Sequence, residues 1–233
     1  MVVLDAGHGG FDPGGGSNEQ FKEKNMTLNI SRYQNNRFRE LGIDSALVRT
    51  GDETLTPQER INKINSFCCT NTDILISNHI NNAGSGGGEV IYSIRNNPDL
   101  PNAIGEALEQ VGLPIRSVYT RPGRTGNDFY FVLRQTPGFD YSMIIEYGFA
   151  DVPADVDRLI YEWPTLAEAV VKAVANHLGV SYSPPSYAIH IVRPGESLFT
   201  ISQKYNVPIS RIIDDNKLAT SEVFPGQTLV VNF

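Results

Sequence analysis

The chain opens Met1-Val-Val-Leu-Asp-Ala-Gly-His-Gly-Gly10, and the rest of the sequence is read outward from these ten residues. Val2–Leu4 is a short β-branched, apolar run that suits a buried central strand. Asp5-Ala6-Gly7 ends it, one histidine follows, and then come two more glycines. Glycine lacks a Cβ and tolerates left-handed backbone, so His8 is expected on a tight turn that other groups can approach closely. The C-terminal end of a buried strand is where α/β sheets keep their sites. A phosphate loop is excluded, because no Gly-Lys-Ser/Thr follows and the G-x-G-x-x-G spacing is absent.

The chain has 233 residues, room for one sizeable domain and a small second one. It is 40% hydrophobic and 19% charged, as ordinary globular proteins are. No run of about 18 apolar residues is present, so no membrane span is expected. A net charge of −7, with no Lys/Arg cluster, argues against a nucleic-acid partner. That charge lies within residues 1–182, while residues 183–233 carry 4 basic and 4 acidic side chains. Cys68 and Cys69 are adjacent and belong to no Cys-x-x-Cys pair; they read as reduced packing residues of a protein made in the cytosol. The chain starts directly on its first strand without a basic or apolar leader, so synthesis without a signal peptide is expected.

Taken in order, the pattern alternates strands and helices. A helix capped at Asn25 or Thr27 is expected to run to about Glu40 and to stop at Gly42. Ser45–Val48 reads as a strand, and Thr56-Pro-Gln-Glu59 is a capping box that opens a second helix. Asp73–Ser77 is a buried strand with His79 just past its end. The Gly84–Gly88 loop reads as a turn leading into a strand at Val90–Ile94. A helix is expected at about Asn102–Val111, strands at Ile115–Tyr119 and Tyr130–Leu133, and a strand at Ser142–Glu146 that ends in a carboxylate. A last helix covers about Pro164–Leu178. The fold class is α/β, a mixed or mostly parallel sheet sandwiched by helices. Residues 1–180 form this domain, 181–186 a stiff Pro-rich linker, and 187–233 a small β-α-α-β module.

Three strand-end groups stand out, His8, His79 and Glu146, with Glu23 in the loop after the first turn. In a parallel sheet such ends share one edge. Two imidazoles and a carboxylate make a three-ligand zinc set with an open fourth position. A second carboxylate beside it could move protons. No Gly-x-Ser-x-Gly elbow exists, and a Ser/His/Asp triad could be picked only arbitrarily.

Four blocks occur together: Leu4-Asp-Ala-Gly-His-Gly-Gly-x-Asp-Pro-Gly14, Glu23-Lys24, Asp73-Ile-Leu-Ile-Ser-x-His79-x-Asn81 and Ile145-Glu146-x-Gly-Phe149. In this order they resemble the zinc-dependent N-acetylmuramoyl-L-alanine amidases of the Amidase_3 type, over about residues 1–178. The resemblance implies Zn2+ held by His8, Glu23 and His79, with Glu146 as the catalytic carboxylate. It also implies cleavage between the lactyl group of N-acetylmuramic acid and the L-alanine of the stem peptide. Asn78, Ile80 and Tyr147 depart from the usual pattern. The stretch from Tyr130 to Tyr141 leaves no room for a long blocking helix, so an enzyme without that form of self-inhibition is expected.

The C-terminal stretch resembles a lysin motif (LysM), through Tyr187-x-Ile-x-x-Val192-x-Pro-Gly-Glu-Ser-Leu198, Ile201, Tyr205, Ile209, Asn216 and Phe224-Pro-Gly-Gln-x-Leu229. That implies contact with the glycan of peptidoglycan at Gly195, Glu196, Ser197 and Leu198 and at Asn216, Lys217 and Leu218. A charge-neutral module suits a neutral N-acetylated sugar. The partner is therefore bacterial peptidoglycan, with no nucleic acid and no membrane. Release to the wall would follow phage holin action or mother-cell lysis. Two other readings stay open: a wall-binding scaffold without activity, and a zinc hydrolase of another wall bond. Asp5 reads either as support for a ligating imidazole or as a strand-end cap. Glu19 rivals Glu23 on position alone. Arg49, Asp52 and Arg60 read either as lining the cleft or, more simply, as surface ion pairs. His177 complements a helix dipole, and His190 reads as a structural or solvated residue.

Overall fold

The computed structural model describes residues 1–67 and 72–233, so the reading of Cys68 and Cys69 lies outside the described residues. The N-terminal part is a six-stranded sheet with helices on both faces. Its strands are β1 (Val2–Ala6), β2 (Ser45–Leu47), β3 (Ile74–Asn81), β4 (Gly88–Tyr92), β5 (Ile115–Thr120) and β6 (Tyr141–Phe149), in the order β2-β1-β3-β6-β4-β5. β2, β1, β3 and β6 pair in parallel, β4 runs antiparallel to β6, and β5 is parallel to β4. The sheet is therefore mixed, as the alternation of elements implies.

The period of two along each strand sorts the core into two layers. Val2, Leu4, Ile74, Ile76, Met143 and Ile145 face one side. They pack there against α1 (Glu23–Glu40), α3 (Asp99–Gln110) and α6 (Trp163–His177). Val3, Leu75, Ile91 and Ile144 face the other side, under α2 (Pro57–Phe67) and the single turn α4 (Phe131–Arg134). Asp5, Ser77, His79 and Glu146 continue this second set towards the C-terminal ends of the strands. Alternation alone thus puts them on one face.

Several boundaries differ from the sequence reading. α1 begins at Glu23, two residues before Asn25, because its first donors are capped from the preceding loop. Ser17 Oγ accepts from Glu23 N at 3.0 Å, and Pro13 O accepts from Lys24 N at 3.1 Å. A local capping motif cannot reveal such partners. Thr56 and Glu59 do form the expected reciprocal cap of α2. β3 and β6 run past Ser77 and Glu146, so both functional candidates sit inside strands. Tyr130–Leu133 is not a strand; Phe131–Arg134 is a helical turn, and a run this short carries no decisive period. Helix α5 (Pro153–Tyr161), with proline in its first turn, was not foreseen.

The small module pairs β7 (Tyr187–Ile191) antiparallel with β8 (Thr228–Asn232) and packs them on α7 (Leu198–Tyr205) and α8 (Ile209–Asn216). Ser197 caps α7 through a capping box with Thr200. Buried His190 lies between the Tyr205 hydroxyl (3.1 Å) and Glu196 (2.9 Å), which bears out its structural reading.

Two of the departures noted above compensate each other. The Tyr147 hydroxyl donates to Asn78 Oδ1 at 3.0 Å, and Asn78 Nδ2 donates to Ser31 Oγ and Gln34 Oε1, each at 2.8 Å. Gln34 Nε2 donates back to the Tyr147 oxygen at 2.9 Å. This buried ring of polar groups joins α1 to β3 and β6, with its donors and acceptors paired. Tyr147→Phe opens it and strands Asn78 Oδ1 in the interior. The expected loss is about 1–3 kcal/mol of stability, read as a melting temperature lower by several degrees.

Candidate metal centre

Residues Ala6–Gly10 make the turn that the opening stretch implies. His8 has φ of 62°, a left-handed conformation rare outside glycine, and Gly9 and Gly10 are also at positive φ. Two arginines hold this turn from beneath. Arg49, fully buried, donates to Ala6 O (2.9 Å), Gly7 O (3.0 Å) and Gly51 O (2.9 Å). Arg60 bonds the Asp5 carboxylate, Ala6 O at 2.9 Å and His8 O at 2.7 Å. The surface-pair reading of Arg49 and Arg60 is corrected: burial leaves these guanidinium groups no water, so they satisfy the carbonyls of a tight turn instead. Asp52 does lie at the surface, paired with Lys24 at 2.7 Å. Asp5 neither caps its strand nor touches an imidazole; it is buried between Arg60 and Ser77 Oγ (2.8 Å).

His8, Glu23 and His79 converge, with one potential ligand atom from each lying within 4.8 Å of the others. Glu23 Oε1 is 3.2 Å from His8 Nε2 and 3.1 Å from His79 Nδ1. Ile80 N and Gly16 N donate to the two Glu23 oxygens at 3.0 and 2.7 Å, which fixes the buried carboxylate. Asp12 accepts from His8 Nδ1 at 2.7 Å, leaving Nε2 as the free donor atom. The sequence holds Asp12 inside the first block, but only the fold shows this role. Glu19, the rival to Glu23, is exposed on the loop and takes no part.

The glycines leave the space this cluster occupies. A Cβ on Gly7 would lie 2.4 Å from His79 Cε1, and one on Gly14 would lie 2.3 Å from Glu23 Oε2. Parallel register places Glu146 beside His79, and on its other flank Glu146 faces Glu89 of β4. Glu146 Oε2 is buried and has no hydrogen-bond partner among the described residues. Glu89 was not singled out from the sequence; the β4–β6 pairing alone reveals it.

The electrostatics follow from these distances. Burial opposes charge on His8, yet Glu23 and Asp12 outweigh it and raise the imidazole to about 9. Burial likewise opposes charge on Glu23, but the two imidazoles hold it below the usual carboxylate range. Burial pushes Glu146 up to about 7, and the nearby Glu23 and Glu89 add to that while His79 and His8 oppose it. The donor set of two imidazole nitrogens and one carboxylate fits zinc. The negative field that favours a proton on His8 would equally favour a divalent cation, and the unpartnered Glu146 oxygen beside it has a hydrogen bond to make. The adjoining cavity, about 240 Å³, has an apolar wall of Leu55, Tyr130, Phe131, Val132 and Ile144.

In the small module, Glu196 and Ser197 line a pocket with Ser221–Phe224. Gly195, at φ +84°, turns the chain there. Three of the other expected contact residues, Leu198, Asn216 and Leu218, have structural side chains. Leu198 is in the module core, Leu218 packs on it, and Asn216 braces β8 through Val230 N and O at 2.7 Å each. Lys217 closes α8 in the left-handed conformation. At Leu198, Asn216 and Leu218, then, what can meet a ligand is chiefly backbone, while the Lys217 side chain is exposed. Phe224, 64% exposed, belongs to the pocket and was quoted in the sequence only as part of a motif.

A candidate metal site of two histidines and one glutamate lies at the C-terminal edge of a mixed α/β sheet, and the chain continues into a βααβ module. The model of N-acetylmuramoyl-L-alanine amidases, Amidase_3, matches residues 2–178, and the LysM domain model matches residues 190–232. The chain belongs to the N-acetylmuramoyl-L-alanine amidase family and carries a C-terminal LysM domain. It is similar to the uncharacterized protein YqiI of Bacillus subtilis, 30% identical over 186 residues, which are 76% of this chain and 84% of YqiI. It is also 29% identical over 162 residues to the probable cell wall amidase LytH of Staphylococcus saprophyticus, covering 68% of this chain and 50% of LytH. The chain thus spans about half the length of that relative. Among solved structures, Cwp6 from Clostridium difficile superimposes with a TM-score of 0.68 at 25% identity, over 75% of this chain and 28% of Cwp6.

Gly7→Ala is expected to fold but to displace the His79 ring. Zinc retained after dialysis, measured by elemental analysis, should fall from near one equivalent to near zero, as it should for His79→Ala. Wild-type zinc content in Gly7→Ala would show that the close glycine approach is not needed.

Proposed function

We propose that the protein is a peptidoglycan hydrolase cutting the amide between N-acetylmuramic acid and the L-alanine of the stem peptide, held to the wall glycan by its LysM domain. One observation carries this reading. His8, Glu23 and His79 meet at one point, and Glu146 stands beside them with an unpartnered buried oxygen. Membership of the amidase family supports the reaction class, and the LysM domain supports the choice of substrate.

His8, Glu23 and His79 would hold the ion. Zinc, when bound, supplies a Lewis acid for the amide carbonyl and makes water acidic enough to ionise near neutral pH. Glu146 takes the proton of the attacking water on its free carboxylate oxygen and returns it to the leaving nitrogen. Its raised proton affinity suits both halves of that transfer, because the group can hold and release a proton near pH 7. Asp12 keeps the His8 ring in one orientation and one tautomer. The apolar wall of the cavity limits water around the transferred proton and takes the small, uncharged L-alanine side chain.

Digestion of purified wall with mass analysis of the fragments tests the reaction. Free stem peptides beginning with L-alanine are expected, lost on chelation and restored by zinc. Reducing ends or shortened peptides with an intact lactyl–alanine bond would replace this reading by another wall hydrolase. Intact wall that still binds the protein would make it a scaffold. Glu146→Gln is expected to keep zinc and wall binding while its rate falls by about two orders of magnitude or more. A rate near wild type would remove Glu146 from the proton transfer.

A further inference from the structure

The two parts of the chain are joined by more than residues 179–186. Ile191, at the end of β7, is buried in the same apolar cluster as α6 and the main sheet, and Tyr182, Tyr187 and Ile189 pack against that cluster. The intervening segment is pinned as well: Arg37 Nη2 donates to Ser183 O at 2.7 Å, and the Tyr182 hydroxyl donates to Glu168 at 3.0 Å. Past β7, Arg193 reaches back to the catalytic part. Its Nη1 meets Asp157 at 3.0 Å, its Nη2 meets Glu162 at 2.8 Å, and its guanidinium lies 4.5 Å from the Tyr161 ring centroid. Exposed ion pairs taken singly hold little. A planar fork aimed at two carboxylates and stacked on a ring, however, fixes an angle as well as a contact.

The brace is tied to the sugar loop itself. Arg193 N donates to Glu196 Oε2 at 2.7 Å, and Glu196 with Ser197 lines the pocket of the small module. On the catalytic side, two of the Arg193 partners, Asp157 and Tyr161, line an open groove of about 540 Å³. The groove is also lined by Asn18–Gln20, from the loop whose Gly16 N donates to the Glu23 carboxylate, and by Ala150 and Asp151, which follow β6. Groove and metal-ligating residues therefore draw on the same C-terminal edge of the parallel strands, and Arg193 links the groove residues Asp157 and Tyr161 to the loop of Glu196.

Resting on the wall-hydrolase reading, we propose that the LysM domain is docked rather than tethered, with Arg193 as the positioning residue. One glycan strand then lies along the sugar loop, the groove beside α5 and the metal cleft. The occupant is a neutral polymer of N-acetylated sugars. The small module carries no net charge, and the groove offers Glu19, Asp151 and Asp157 as acceptors for sugar hydroxyls while disfavouring an anionic polymer. Docking raises the effective concentration of bound glycan at the cleft in one orientation, which a flexible tether cannot do.

The test uses the full chain and two substrates, intact sacculi and a soluble muramyl peptide with no glycan extension. Arg193→Ala is expected to cut the soluble peptide at the wild-type rate and sacculi about tenfold more slowly. Arg193→Lys should recover part of the loss. Ile160 also lines the groove, and Ile160→Trp, which narrows it and leaves the Arg193 side chain in place, should show the same split between substrates, with melting curves confirming that it folds. Equal rates on sacculi for Arg193→Ala and wild type would overturn the proposal, as would an equal loss on both substrates. Residual dipolar couplings of the wild-type protein should fit one alignment tensor for residues 1–178 and 187–233, and two independent tensors would also overturn it. That measurement does not depend on activity, so a wild-type protein that cuts neither substrate would refute the hydrolase reading and leave the docking question separately decided.

Discussion

Two buried guanidinium groups hold the turn on which the site depends. A turn with successive residues at positive φ leaves carbonyls that no sheet partner can take, and here Arg49 and Arg60 take those of Ala6, Gly7 and His8. Buried cations need several acceptors each to offset lost hydration, and tight turns supply them in quantity. The arginines take the carbonyls on the strand side of the turn, while the Gly9–Asp12 pairing, Asp52 and Lys24 hold its far side. Asp5, which a sequence reading assigns to a histidine or to a strand end, is instead the counter-charge of Arg60.

Around that turn the sheet does the rest through register and period. Alternation along β3 and β6 sends Asn78 and Tyr147 into the layer beneath α1, where they close a polar ring with Ser31 and Gln34. The neighbouring residues, His79 and Glu146, are thereby turned to the opposite face. A shift of one residue in either strand would exchange the two sets, placing an imidazole and a carboxylate in the apolar layer. The polar ring thus guards register as well as adding stability, and it gives the buried Asn78 and Tyr147 their hydrogen-bond partners.

The metal centre gathers groups of opposite preference. Glu23 is buried and would resist ionisation, but two imidazoles keep it charged; Glu146 is buried with carboxylates near it and so holds its proton more tightly. Two carboxylates at one site are therefore driven in opposite directions by their environments.

Much of this was legible in residues 1–233 read as a string. The Gly-rich opening, the order of the four blocks and the period-two apolar runs determine an α/β sheet with His8, Glu23, His79 and Glu146 at one edge, and the final 47 residues or so determine a separate βααβ unit. These features are local, and local pattern carries backbone preference and burial. The tertiary structure alone decided the partners that lie far apart in sequence: Arg49 and Arg60 under the turn, Asp12 on His8 only through the fold of the loop, Glu89 opposite Glu146 through an antiparallel pairing, and Arg193 against α5. It also decided that α1 starts at Glu23, because its cap comes from Ser17 and Pro13 across a loop. Such contacts depend on how elements pack, and packing is set by the sum of many weak burial terms that no single stretch of sequence displays.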